Sequence, residues 1–238
     1  MTEPLGRYTF RIFRFDPERG GRPRYDTFNL DVEKGMTVLD CLQSIKDAID
    51  PTLTFRRSCR SAICGSCAMN INGKNDLACH LQAARLPGRT VTVNPLPGYP
   101  VVRDLVVEME EFYRSIRRVM PWFVRRSPRP DREIPQSPEE RGRIDLAVNC
   151  ILCGSCTSSC PSFWFNTEYL APGALLKAFR FVFDSRDEAK RERLALVDGR
   201  NGVWRCRTIF HCEEACPKLL RPNEAIAALK REALKESV

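Results

Sequence analysis

Apolar and polar residues alternate through RYTFRIFRF, residues 7–15, and again through YDTFNLDV, residues 25–32, with the turn-rich DPERGGRP between them. A period of two over runs of this length predicts the two strands of a hairpin. The period then changes. In TVLDCLQSIKDAID, residues 37–50, Val38, Cys41, Leu42, Ile45 and Ile49 fall on one helical face, and Thr37 with Asp40 three residues on predicts a capping box at its start. Cys41 therefore reads as a small core residue. A cysteine-bearing loop at 55–67 follows, then a short strand AMNI, the turn pair Asn72-Gly73, a return strand near Leu77 and the alternating TVTV at 90–93. Strands, one helix and further strands predict an α+β domain of β-grasp form over residues 1–103. PLPGYP, residues 95–100, interrupts the pattern and reads as a linker.

From residue 104 to 238 the pattern is helical, and no persuasive strand is found. Leu105, Met109, Phe112, Ile116 and Val119 mark an apolar face that Pro121 stops, and an irregular basic connection, PWFVRRSPRPDREIPQSP, follows. Ser137-Pro138-Glu139-Glu140 is a capping box with proline at the first helical position. Further helices are expected around 173–184, 187–196 and 223–235. The most apolar run, ALLKAFRFVF, is interrupted by charge and falls well short of the roughly 18 apolar residues of a spanning helix. Membrane association therefore has to come through a partner.

Composition changes this picture in one respect. The chain carries twelve cysteines, and its first twenty residues are polar and arginine-bearing, with no apolar signal core. A reducing compartment is expected, where clustered cysteines serve as metal ligands rather than disulfides. The formal charge of +8 admits nucleic acid, acidic partners or lipid headgroups. Thiolates on iron clusters would absorb part of that excess, so no nucleic acid is expected as a partner.

The cysteines fall into three runs. Cys59, Cys64, Cys67 and the distant Cys79 have the C-x4-C-x2-C plus one spacing of plant-type 2Fe-2S sites. Ser61, Ala62, Gly65 and Ser66 are small enough to let the backbone approach the sulfurs. A zinc site would need two separated C-x2-C hairpins, and only Cys64 and Cys67 form one. Residues 150–161, CILCGSCTSSCP, read C-x2-C-x2-C-x3-C-P, and residues 206–217, CRTIFHCEEACP, keep that frame with Ile209 in place of the second cysteine. In this bacterial-ferredoxin spacing the fourth cysteine ligates the other cluster. The crossover assigns Cys150, Cys153, Cys156 and Cys216 to a 4Fe-4S cluster, and leaves Cys160, Cys206 and Cys212 for a second. Isoleucine cannot coordinate and its side chain fills the vacant corner, so a 3Fe-4S cluster is expected there; the alternative is a full cluster with water or His211 on the fourth iron. His80 and His211 are needed at no site and are expected at the surface or behind the ligands. The expected architecture is an N-terminal β-grasp 2Fe-2S ferredoxin-like domain followed by an all-α bacterial-ferredoxin-like (α-helical ferredoxin) domain.

Three clusters, with no candidate base, flavin fold or nucleotide loop, make an electron carrier. The chain resembles the iron-sulfur subunits of succinate dehydrogenase (respiratory complex II) and fumarate reductase over almost its whole length, through FRRSCRSAICGSCAMNINGKNDLAC, PLPGYPVVRDLVVEM, CILCGSCTSSCPSFWFN, SRD at 185–187 and CRTIFHCEEACPK. That resemblance implies electron flow from a flavoprotein subunit, which carries FAD and oxidises succinate, to quinone. The first domain would face the flavoprotein and the second would sit on membrane anchor subunits. It implies a peripheral place on the cytoplasmic face of the bacterial cell membrane, or else on the matrix face of the mitochondrial inner membrane. Fumarate reduction, or service to another flavin-linked quinone or disulfide reductase, are the neighbouring readings. The residues flanking the last cluster give a quinone edge of Pro161, Trp164, Arg207 and Ile209. Here the family's paired tryptophans are Trp164-Phe165, and Arg207 stands where histidine is common.

Overall fold

The computed structural model describes residues 4–18, 20–128 and 130–236. They form two compact units, one of residues 4–109 with Ile151–Ser158, the other of Glu110–Cys150 with 159–236. Against the expected division at 103/104, the first unit runs on to Met109 and takes in a segment from far along the chain. Arg19 and Arg129, in the two expected connections, lie outside the described residues.

In the first unit β1 (Pro4–Arg14) and β2 (Arg24–Glu33) pair antiparallel, with Phe10 opposite Phe28. The alternation is realised as burial of Tyr8, Phe10 and Ile12 on one face. Helix α1 (Val38–Ala48) opens with the expected Thr37–Asp40 capping box and buries Val38, Leu39, Cys41, Leu42 and Ile45. Ile49 lies beyond its last turn and is exposed. Strands β3 (Ala68–Ile71) and β4 (Lys74–Leu77) make a hairpin across Asn72-Gly73, both at positive φ as a tight primed turn requires. β5 (Thr90–Asn94) lies parallel to β1, and the sheet order is β2-β1-β5-β3-β4. This is the β-grasp arrangement that the pattern predicts.

The stretch read as a linker is instead packed. Leu96 and Tyr99 are buried, Pro97 O accepts the Ser158 hydroxyl at 2.6 Å, and the Tyr99 hydroxyl reaches Gly154 O at 3.4 Å. Two short strands missed by periodicity, β6 (Val101–Arg103) and β7 (Val106–Val107), follow it. The reason lies in Asp104, buried and left-handed (φ 45°), whose carboxylate accepts the backbone N–H groups of Phe15 and Thr54 and pairs with buried Arg14. Satisfying these groups places Asp104 and Leu105 in the turn between β6 and β7, so α2 begins only at Glu110 and runs to Arg118.

The second unit is helical. α3 (Pro138–Val148) starts at the expected Ser137–Glu140 box. The short α4 (Ser155–Ser158) belongs to the first unit, where Asn75 Nδ2 donates to Ser158 Oγ at 3.1 Å and Ser155 O at 3.3 Å. α5 (Pro161–Phe165) precedes α6 (Ala171–Val182), which packs on α2, α3, α7 (Lys190–Val197) and α9 (Pro222–Glu236). Being surrounded explains why α6 is apolar nearly all round. The short α8 (His211–Glu214) lies between α7 and α9. Among the described residues no helix is long and apolar enough to cross a membrane.

Candidate metal centre

Residues 55–67 leave regular structure because the backbone turns left-handed at Arg60, Ala62 and Gly65. Turns of that hand aim successive N–H groups to one side and form a nest for negative charge. Here the nest closes on sulfur. Cys59 Sγ accepts from the N–H of Cys64 at 3.2 Å, Ile63 at 3.3 Å and Ser61 at 3.4 Å. Ala62 donates to Cys79 Sγ at 3.3 Å and Ser66 to Cys64 Sγ at 3.5 Å. The bonds from Ser61, Cys64 and Ile63 bring the Cys59 thiol down to about 6, while burial pushes Cys67, beside Cys79 and Cys64, up to about 12. The four candidates of the first run thus lie together, with donors aimed where a cluster's sulfurs need them. Of the small residues, Gly65 is the one that space demands. A Cβ there would meet Cys153 Cβ at 2.9 Å and Ile151 O at 3.0 Å.

The two later runs share a backbone. In the first, the residues two and four places after Cys150, Leu152 and Gly154, have φ of 56° and 79°; in the second, the residues two and four places after Cys206, Thr208 and Phe210, have φ of 58° and 69°. Threonine and phenylalanine adopt this region at a steric cost. The loop shape is therefore imposed by its surroundings and does not depend on the missing cysteine. Only Gly154 gives any signal of this shape in the sequence.

Cys160, Cys206 and Cys212 lie together in the second unit. Burial and then the neighbouring thiols Cys160 and Cys206 push Cys212 up to about 12, so Cys212 binds as a thiolate only when a metal displaces its proton. Among them stands Tyr169, which sequence reading missed: it is fully buried, and its hydroxyl makes no hydrogen bond of ordinary geometry. Cys150 and Cys216 also lie in the second unit, packed against Ala147, Leu176, Leu220 and Ala225, with Leu220 N donating to Cys216 Sγ at 3.4 Å. Cys153 and Cys156 belong to the first unit, Cys153 against its core. Among the described residues no three His, Cys, Asp or Glu side chains are gathered closely enough to hold a single metal ion. His80 and His211 are exposed.

Exposed apolar side chains flank the trio in the chain. Trp164 is 51% exposed, Phe165 85% and Ile209 43%. Arg207 is also exposed, Pro161 is half-buried, and the Arg205 guanidinium lies over the Phe165 ring, 5.6 Å from its centroid. Exposed aromatics in this number mark a surface that a partner covers.

Residues 9–114 match the family described as the 2Fe-2S iron-sulfur cluster binding domain, and residues 143–217 match the 4Fe-4S dicluster domain. The chain is 49% identical over 223 residues to a succinate dehydrogenase iron-sulfur subunit of Paracoccus denitrificans, covering 93% of this chain and 86% of that one. It is 45% identical over 228 residues to the mitochondrial succinate dehydrogenase [ubiquinone] iron-sulfur subunit 1 of Oryza sativa subsp. japonica, covering 94% and 81%. A chain of the Mycobacterium smegmatis Sdh1 complex superposes with a TM-score of 0.87 at 25% identity, covering 99% of this chain and 98% of that chain.

Proposed function

This chain belongs to the iron-sulfur subunits of succinate dehydrogenase, and we propose that every cysteine but Cys41 holds iron in one of three clusters. Within the oxidoreductase the chain carries electrons and leaves the conversion of succinate to fumarate to a partner. Cys59, Cys64, Cys67 and Cys79 hold 2Fe-2S; Cys150, Cys153, Cys156 and Cys216 hold 4Fe-4S; Cys160, Cys206 and Cys212 hold 3Fe-4S. When bound, these groups supply one-electron relays between the FAD of a flavoprotein subunit and membrane quinone. The protein's own contribution is to bind iron through thiolates, to fix sulfur positions with backbone N–H donors, and to keep water from the buried ligands.

The observation that carries the three-iron assignment is the repeated left-handed frame of Leu152/Gly154 and Thr208/Phe210 around a position that is cysteine in one run and Ile209 in the other. Metal analysis of the loaded complex is expected to give roughly nine irons per chain, two plus four plus three, with a three-iron EPR signal on oxidation. Roughly ten irons and no such signal would overturn the assignment. Ile209→Cys is expected to add an iron and remove that signal.

The exposed aromatics beside the trio support a docking face for membrane anchor subunits, with quinone at Pro161, Trp164, Arg207 and Ile209. On this reading the chain is peripheral, on the cytoplasmic face of a bacterial membrane. In the assembled complex Trp164→Phe is expected to impair quinone reduction and to spare succinate oxidation with an artificial dye. Equal quinone activity would leave Trp164 as a packing residue.

A further inference from the structure

Tyr169 is a side chain that the ligand assignment does not use and that packing alone does not explain. None of its surface is exposed, and its hydroxyl makes no hydrogen bond of ordinary geometry. Leaving a buried hydroxyl unpaired is destabilising, so phenylalanine would serve a purely apolar role better. The backbone at this point is fixed, with Tyr169 N donating to Asn166 O at 3.1 Å and Leu170 N to Asn201 O at 2.9 Å. The thiols of Cys206, Cys160 and Cys212 lie near enough to bear on the hydroxyl. A cluster held by these three thiols would supply the missing acceptor.

We propose that Tyr169 donates its phenolic O–H to a sulfur of the cluster held by Cys160, Cys206 and Cys212, and so raises the potential at which that cluster accepts an electron. The inference rests on the reading that this trio holds a cluster. Reduction adds negative charge to the cluster sulfurs, and a fixed donor stabilises the reduced form more than the oxidised one. Tyr169 is thus a positioning residue for charge, acting through the cluster.

The test is Tyr169→Phe in the whole assembled complex, titrated electrochemically and followed by EPR. Removing a hydroxyl that makes no hydrogen bond of ordinary geometry leaves the packing intact, so the variant is expected to assemble and keep its full iron content. The three-iron signal should persist, with its reduction equilibrium shifted about tenfold toward the oxidised form, or about 59 mV lower for a one-electron couple. The other two clusters should keep their potentials. A three-iron signal with an unshifted potential would overturn the role of Tyr169 while leaving the ligand reading in place. Absence of that signal from the unaltered complex would overturn the ligand reading and this proposal with it. As a second measurement, the unaltered complex should show an exchangeable proton coupled to the three-iron centre that Tyr169→Phe lacks; identical couplings in both proteins also count against the proposal.

Discussion

At Cys41 a thiol is sealed between helix and sheet with none of its surface exposed, and burial, followed by the charge of Asp40, pushes its pKa up to about 12. Cys41→Ala is therefore expected to cost about 1 kcal/mol, the scale of losing one buried heavy atom, and to leave the visible and EPR spectra of all clusters unchanged. Loss of the 2Fe-2S spectrum in that variant would mean that the ligand set is wrong. Cys41 could be read from sequence because helical periodicity reports burial directly. Ile209 could be read because a ligand frame with one gap is itself a pattern. Arg60, Thr208 and Phe210 were not legible, since their left-handed backbone is imposed by the loops around them and not by their own preferences. Tyr169 was hidden for a similar reason: an unpaired hydroxyl is a property of its surroundings.

Among elements, those with local signals formed where expected, as the Thr37 and Ser137 boxes show. The apolar face from Leu105 was misread because the demands of Asp104, Phe15 and Thr54 outweigh helical period. The segment SRD follows the same logic of tertiary bonds. Asp187 accepts from Val124 N and Ala189 N and pairs with buried Arg193, which donates to Met120 O at 3.1 Å and Trp122 O at 2.6 Å. Next to it, burial disfavours the charged form of Asp184, but Arg186 and Arg180 outweigh that effect and hold its carboxyl at about 2. A carboxyl lowered on folding contributes stability that is complete above its unfolded pKa, near 4, and lost as pH falls toward 2. The gap in melting temperature between the chain and Asp184→Asn should therefore be constant from pH 7 to about 5 and shrink below about 4. A gap independent of pH would assign the effect to shape and not to charge.

On the scale of the whole molecule, sequence pattern separates a sheet-rich part from a helical one but gives no sign that Ile151–Ser158 packs with the first. Nothing local marks that excursion; its partners are Asn75, Pro97 and Tyr99, fifty or more residues away. Gly65 is a tight point against it, with a φ of 75° and no room for a Cβ beside Cys153. Gly65→Ala is expected to destabilise the first unit by about 1–3 kcal/mol and to speed amide hydrogen exchange in residues 151–158 more than in the β1–β2 hairpin. Unchanged exchange there would show that the two loops accommodate a methyl group.

The same excursion bears on how the protein is made. Because residues 110–150 intervene before Ile151–Ser158, the first unit is the earlier to be synthesised yet lacks its final piece until the ribosome has moved on by some fifty residues. At about 5–20 residues per second the wait is on the order of a few seconds. During that interval the nascent sheet carries the cysteine loop with Gly65 uncovered. The time for which that loop stands uncovered is thus set by translation, and a pause site placed within codons 110–150 would lengthen it.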